Sequence, residues 1–349
     1  MSQVHHSNSA LRVLTGASIA LASIALASSI LAFPATAQTP SVTLRYTTGA
    51  PPKTPWVMQA ERLAKDVGEE SKGDVKLDVF IAAQLGNEQD TIQQVQRGRI
   101  DMGGFSSVAG ALLVPEFGLF SLPFYFQSVG EQDCTLDALT PAIAELLAPK
   151  GVHFLGWAEV GTADIIGKKP FLDPAEVRGI KAAANPHKIS AMTWTTLGAN
   201  ANPLGITEIV SAFQTGMVEV QTQVVTFYLP SGLAKVAPVL TRMNISNTPG
   251  IVIINKDIFG KLTADQRGAL ERAHARVPAP QTRQEIRGFE QVLRDMHVKA
   301  GGQVVQATPE QRDLWRKALQ PAWPEMVKAV GGEAFFAKLE AGRATCKAK

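Results

Sequence analysis

Four histidines follow the N-terminal segment: His153, His187, His274 and His297. No two of them stand at the helical spacing that would put a pair of imidazoles on one face to hold a metal. The sequence contains no H-E-x-x-H, C-x-x-C or G-x-x-x-x-G-K-[ST] pattern. Gly104-Phe-Ser-Ser-Val108 would be a nucleophile elbow, G-x-S-x-G, if its last residue were glycine, but that residue is Val108. Gly103, Gly104 and Gly110 do not make a G-x-G-x-x-G phosphate cradle. The chain therefore points to no catalytic centre, no metal and no cofactor. An enzyme would have to assemble its residues through folding alone.

Composition excludes other classes. A hydrophobic fraction of 45% with 19% charged residues belongs to a globular chain. The net charge of +3, with no Lys/Arg run interleaved with aromatics, gives no nucleic-acid-binding surface. At the N-terminus Arg12 precedes a charge-free apolar run from Val13 to Phe33, then Ala35-Thr-Ala37 and Gln38. This reads as a signal peptide over 1–37, cleaved after Ala37, and as export to the periplasm. Its rival is an uncleaved anchor, since the run is long enough to span a bilayer. No cysteine follows the cleavage site, so a lipid anchor is not indicated. The two cysteines, Cys134 and Cys346, would be allowed to bridge in an oxidising compartment. The sequence leaves open whether they meet or are two unrelated residues.

The elements that would position a site are organised around Asn202 to Gln223. Pro203 and Gly205 make a turn, Thr207 is placed to cap a helix, and Ile209, Ala212 and Phe213 recur at helical spacing. Gly216 suits a left-handed stop. A strand from Met217 follows, with Glu219, Gln221 and Gln223 alternating with buried positions. Its ending has an earlier counterpart: Gln96-Arg-Gly-Arg-Ile-Asp-Met102 matches Gln214-Thr-Gly-Met-Val-Glu-Val220 in type. Two helix–glycine–strand units suggest two lobes of similar build. Elsewhere strands at 41–47, 75–79, 100–104 and 152–157 alternate with helices at 55–70, 87–95 and 136–147, which predicts a largely parallel sheet. A helical pattern from Thr263 to about Lys299 is interrupted by Pro278 and Pro280, so a break or strong kink is expected there. In such folds ligands bind beyond the carboxyl ends of strands. That directs attention to Thr48-Gly49, Phe105-Ser-Ser107, Gly161-Thr-Ala163, Ala183 to Asn185, Gly205-Ile206 and Gln221-Thr-Gln223.

An ordered set of short motifs then resembles a known family. Gln84-Leu-Gly86, Gln96-Arg-Gly-Arg-Ile-Asp101, Leu122-Pro-Phe-Tyr125, Arg178-Gly-Ile-Lys181, Leu197-Gly-Ala199 and Glu208 to Gln221 are similar to the periplasmic substrate-binding proteins of TRAP transporters, the DctP-like family. The likeness covers nearly all of the chain from Val42. It implies an α/β, two-lobed periplasmic-binding-protein-like fold with a hinge and a long lobe-spanning helix from Thr263. The implied lobes are 41–159 with 249–285, and 160–248 with 286–345. The implied function is capture of a small organic acid or related polar metabolite between the lobes and its delivery to the membrane permease subunits, by a monomer without catalytic activity. Alternatives are a ligand-presenting sensor component that binds a non-carboxylate solute, and an exported enzyme.

The strand-end loops and the resemblance together give the expected site residues: Thr48, Gly49, Phe105, Ser106, Thr162, Ala163, Ala183, Asn185, Ile206 and Gln223. The family usually clamps a substrate carboxylate with an arginine, whose planar fork suits bidentate pairing. Here that position holds Ala183, and the position of a second arginine seen in some members holds Ala163. Ile206 replaces a frequent aromatic and Gln223 a frequent asparagine. An acid that some members use near Ser106 is missing from its place. Lys181 and Lys188 are the candidates for a substitute cation.

Overall fold

The computed structural model describes residues 40–347. The signal-peptide expectation for 1–37 lies outside them. Among the described residues no helix is long and apolar enough to cross a membrane.

The first unit alternates strand and helix: β1 (Val42–Thr47), α1 (Pro55–Glu70), β2 (Val75–Phe80), α2 (Glu88–Gln96), β3 (Met102–Ser106) and the one-turn α3 (Ser107–Gly110). Helix α4 (Val129–Leu147) and the long strand β4 (Val152–Gly167) follow. The pattern then repeats: β5 (Lys181–Ala184), α5 (Lys188–Thr196), β6 (Asn200–Pro203), α6 (Ile209–Gln214), β7 (Val220–Val224) and the one-turn α7 (Val225–Tyr228). A second long strand, β8 (Val239–Asn255), leads to α8 (Lys256–Lys261), α9 (Ala264–Ala275) and α10 (Ala279–Lys299). The chain ends with β9 (Gln303–Gln306), α11 (Pro309–Leu319), α12 (Trp323–Ala329) and α13 (Glu333–Lys347).

The strand order is β2-β1-β3-β8-β4-β7-β5-β6, with β9 beside β8. It reads the same way from both ends. In each unit the first strand lies between the other two and is parallel to both. The two long strands run antiparallel at the centre, from Val152↔Asn255 to Gly167↔Val239, with three irregularities in register. They join the units into one sheet. The matching sequence endings take the same conformation: α2 stops at Gly98 (φ 69°) before β3, and α6 stops at Gly216 (φ 71°) before β7. A left-handed residue at that point is open to glycine without steric penalty.

Apolar side chains form four cores. Leu44, Val67, Met102 and Ile254 belong to one and Phe105, Phe117, Phe120 and Ile143 to another, both at the β1–β3 end. Ile165, Trp194, Val220 and Trp315 form a third, and Ile166, Phe213, Tyr228 and Leu240 a fourth, at the β5–β7 end. The sheet is thus covered on both faces, and Gln221 and Gln223, expected to alternate outward, are 1% and 7% exposed. The fold is the expected two-lobed α/β architecture.

Other expectations need correction. The helical pattern from Thr263 breaks at the prolines, as expected, but the piece that begins at Thr263 is the short α9 and not the lobe-spanning helix. Pro278 is the N-cap of α10 and Pro280 its second residue, so the prolines start a helix where no backbone N–H donor is required. The long helix is therefore α10. Its Arg283 pairs with Asp137 of α4 at 2.7 Å, while its His297 reaches the Pro238 carbonyl at 2.9 Å, so it runs from one unit to the other. Thr207 caps nothing, since α6 begins after Glu208. Helices α12 and α13 pack against the first unit, where Met326, Val327, Phe335 and Leu339 join the core of Phe120 and Ile143. There Cys346 bridges Cys134 on α4, with Cα atoms 5.8 Å apart and a sequence separation of 212.

Candidate functional site: a cleft at the strand ends

A cavity of about 250 Å³ lies where the carboxyl ends of β1, β3, β5 and β7 converge. Thr48 and Gly49 follow β1, Ser106 ends β3, Asn185 follows β5, and Thr222 and Gln223 lie on β7. The crossing strands contribute Ala163 and Thr248, and α10 contributes Ile286 and Phe289.

Seven of the ten expected residues therefore line one cavity: Thr48, Gly49, Ser106, Ala163, Asn185, Ile206 and Gln223. Three do not, and strand geometry is the reason. Phe105 and Ala183 are 1% and 0% exposed, and each points from its strand into a core. Thr162 was expected in a loop, but β4 continues to Gly167, so Thr162 is one residue along from Ala163 in a strand. Its backbone N–H donates to Glu290 at 2.6 Å, and it lines a second cavity of about 350 Å³ with Arg242, Arg287, Arg294 and Arg312. There Arg287 pairs with Asp133 at 2.7 Å and Glu159 at 2.6 Å. Burial, only partly offset by Arg287, pushes the Glu159 carboxyl up to about 7.

Lysine and arginine are absent from the lining of the first cleft among the described residues. Lys181 is exposed with its ammonium near the Gly216 carbonyl, and Lys188 bonds the Ala329 carbonyl at 2.8 Å. The acid thought missing beside Ser106 is supplied from elsewhere. Glu88, at the start of α2, accepts bonds from the Ser106 hydroxyl (2.8 Å) and the Ser106 N–H. Burial raises its pKa.

His187 caps α5: its Nδ1 accepts the Ser190 N–H at 3.3 Å. Its Nε2 is shielded from solvent without a protein partner, and burial pushes the imidazole down to about 4. The ring is therefore neutral at ordinary pH and carries its proton on Nε2. Gln223 Oε1 accepts the Val224 N–H at 2.9 Å, which turns the side-chain amide NH₂ into its free donor. Apolar walls come from Trp56, Phe227 and Phe289.

Sequence reading missed Glu88, His187, Trp56 and Phe289. Asn185-Pro-His187 at a strand end carried a signal for His187, because the proline stops the strand and the next residue must cap a helix. Trp56 sits one residue past a Thr54–Pro55 helix start. Phe289 comes from a helix remote in sequence and had no local signal.

Two α/β units of matching strand order around a strand-end cleft form the architecture in which a solute is held between lobes. Residues 46–329 match the DctP family, bacterial extracellular solute-binding proteins of family 7, and the chain belongs to that family. Among its relatives is the 2,3-diketo-L-gulonate-binding periplasmic protein YiaO of Escherichia coli, 28% identical over 74% of this chain and 78% of that one. The C4-dicarboxylate-binding periplasmic protein DctP of Vibrio cholerae is 24% identical over 83% of this chain and 88% of its own. Among solved structures, the sugar acid binding protein DctPAm of Advenella mimigardefordensis, in complex with galactonate, superposes with a TM-score of 0.81 at 25% identity, covering 88% of this chain and 99% of that one. The protein is thus a TRAP-type extracytoplasmic solute-binding protein. Proteins of this family bind small molecules and work with TRAP permease components.

Proposed function

We propose that this protein is exported to the periplasm, captures a small organic acid or related polar metabolite in the strand-end cleft, and passes it as a monomer to the membrane subunits of a TRAP transporter without altering it. One observation carries the reading: the cleft is walled jointly by β1 and β3 of one unit and β5 and β7 of the other. A solute held there touches both, so closing the units around it adds contacts that the open form lacks. The moving bodies are taken as 41–159 with 249–285 and 160–248 with 286–345, except that α12 and α13 are assigned to the first body.

A thermal-shift screen of organic acids, sulfonates and neutral metabolites tests this. A solute at a hundred times its Kd adds about 2.7 kcal/mol, which raises Tm by roughly 5–10 °C for domains of this size. The hit should also lower the radius of gyration in X-ray scattering and be recovered unchanged. Conversion of the hit into a product would sink the reading.

A further inference from the structure

The cleft's own chemistry narrows its solute, on the reading that solute capture happens there. The only ionisable groups on its wall, among the described residues, are Glu88 and His187. Glu88 already accepts two bonds from Ser106, and an anion placed near it would meet a like charge or a proton. His187 and Gln223 each hold a donor with no protein partner, the imidazole Nε2–H, which is shielded from solvent in this structure, and the amide NH₂. Their acceptor atoms are taken by the Ser190 and Val224 N–H groups. The site therefore offers neutral donors and no counter-ion. The rest of the wall includes the rings of Trp56, Phe227 and Phe289.

A carboxylate moved from water into such a place loses its hydration and gains no compensating cation. A carbonyl or hydroxyl needs only the one or two donors on offer, and a flat apolar body is welcome between aromatic rings. We infer that this cleft selects an uncharged solute, one whose carbonyl or hydroxyl oxygen accepts from His187 and Gln223 while an apolar body rests on Trp56, Phe227 and Phe289.

The experiment pairs each acid with its uncharged counterpart: succinate with succinamide, galactonate with its lactone, benzoate with benzamide, and other pairs of graded size. Calorimetric titration of the purified protein is expected to show the uncharged member binding at least about tenfold more tightly, 1.4 kcal/mol. His187→Ala should then weaken that binding about tenfold, while His187→Gln, which keeps a donor, retains most of it. An acid binding as tightly as its amide, or an ammonium compound binding better than both, overturns the inference and leaves solute capture standing. If no pair binds, capture itself loses ground, and fluorescence quenching decides the charge question. The Trp56 signal, taken as the difference from Trp56→Phe, should be quenched by neutral acrylamide several-fold more than by iodide. Equal quenching by the two would overturn the inference.

Discussion

His187 stores a pH dependence in a single ring. Its pKa falls from 6.5 to about 4 in the folded protein because burial disfavours the cation. The unfolded chain therefore takes up the proton first. Stability is full above pH 6.5 and declines as pH falls toward 4, by about 2–3 kcal/mol at pH 4.5. His187→Gln removes that titration. Urea unfolding at pH 7 and pH 4.5 should show the loss in the parent and a smaller loss in the variant; equal losses would refute the assignment. Asp164 works in the opposite sense. It is fully buried, its Oδ1 accepts the Asn244 N–H at 2.7 Å, and its Oδ2 has no partner. Burial pushes its carboxyl up to about 6, ahead of a smaller contribution from Glu290. A raised acid contributes fully below its unfolded pKa near 3.8, and the contribution is lost as pH rises through 6. Asp164→Asn should accordingly be more stable than the parent by about 2–3 kcal/mol at pH 8 and no more stable at pH 3.5. Denaturation midpoints at the two pH values check it.

At the scale of elements, the close approach of β3 to β1 leaves no room for a side chain. A Cβ on Gly103 would stand 2.7 Å from the Thr47 carbonyl oxygen and 2.8 Å from the Phe105 ring. Because backbone cannot step aside cheaply, Gly103→Ala is expected to cost about 2–3 kcal/mol, read from a urea titration. A midpoint like the parent's would show that the strands are less tightly held. Local elements were legible where the signal was local. The helix expected over 87–95 is α2, with Asn87 as its N-cap accepting the Asp90 N–H. The long strands were not legible beyond their first or last residues. β4 was readable only over 152–157, because its later part carries the irregular register that breaks a two-residue period. That one omission displaced Thr162 from the cleft. The cleft residues adjoining strand ends could be named in advance; those arriving from α10 and the start of α2 could not, since only folding brings them there.

At the scale of the molecule, the Cys134–Cys346 bridge ties α13 back to α4 across 212 residues. In the chain-entropy picture a loop of that size is worth about 5 kcal/mol, and measured bridges often deliver less. Replacing both cysteines by serine should lower stability by about 3–5 kcal/mol, and calorimetry with and without reductant should show the same drop in the parent. An unchanged Tm under both treatments would rule the bridge out of the mature protein. The strand order has a consequence of a different kind, in the time the chain takes to be delivered. β3 needs β8 on its open side, with Met102 opposite Ile254, and β8 lies some 150 residues further along the chain. Until that stretch is present to pair, Met102-Gly-Gly-Phe-Ser106 is a bare apolar sheet edge, the kind that recruits foreign strands. The interval of risk in folding therefore ends only when Val239 to Asn255 is available to pair with that edge.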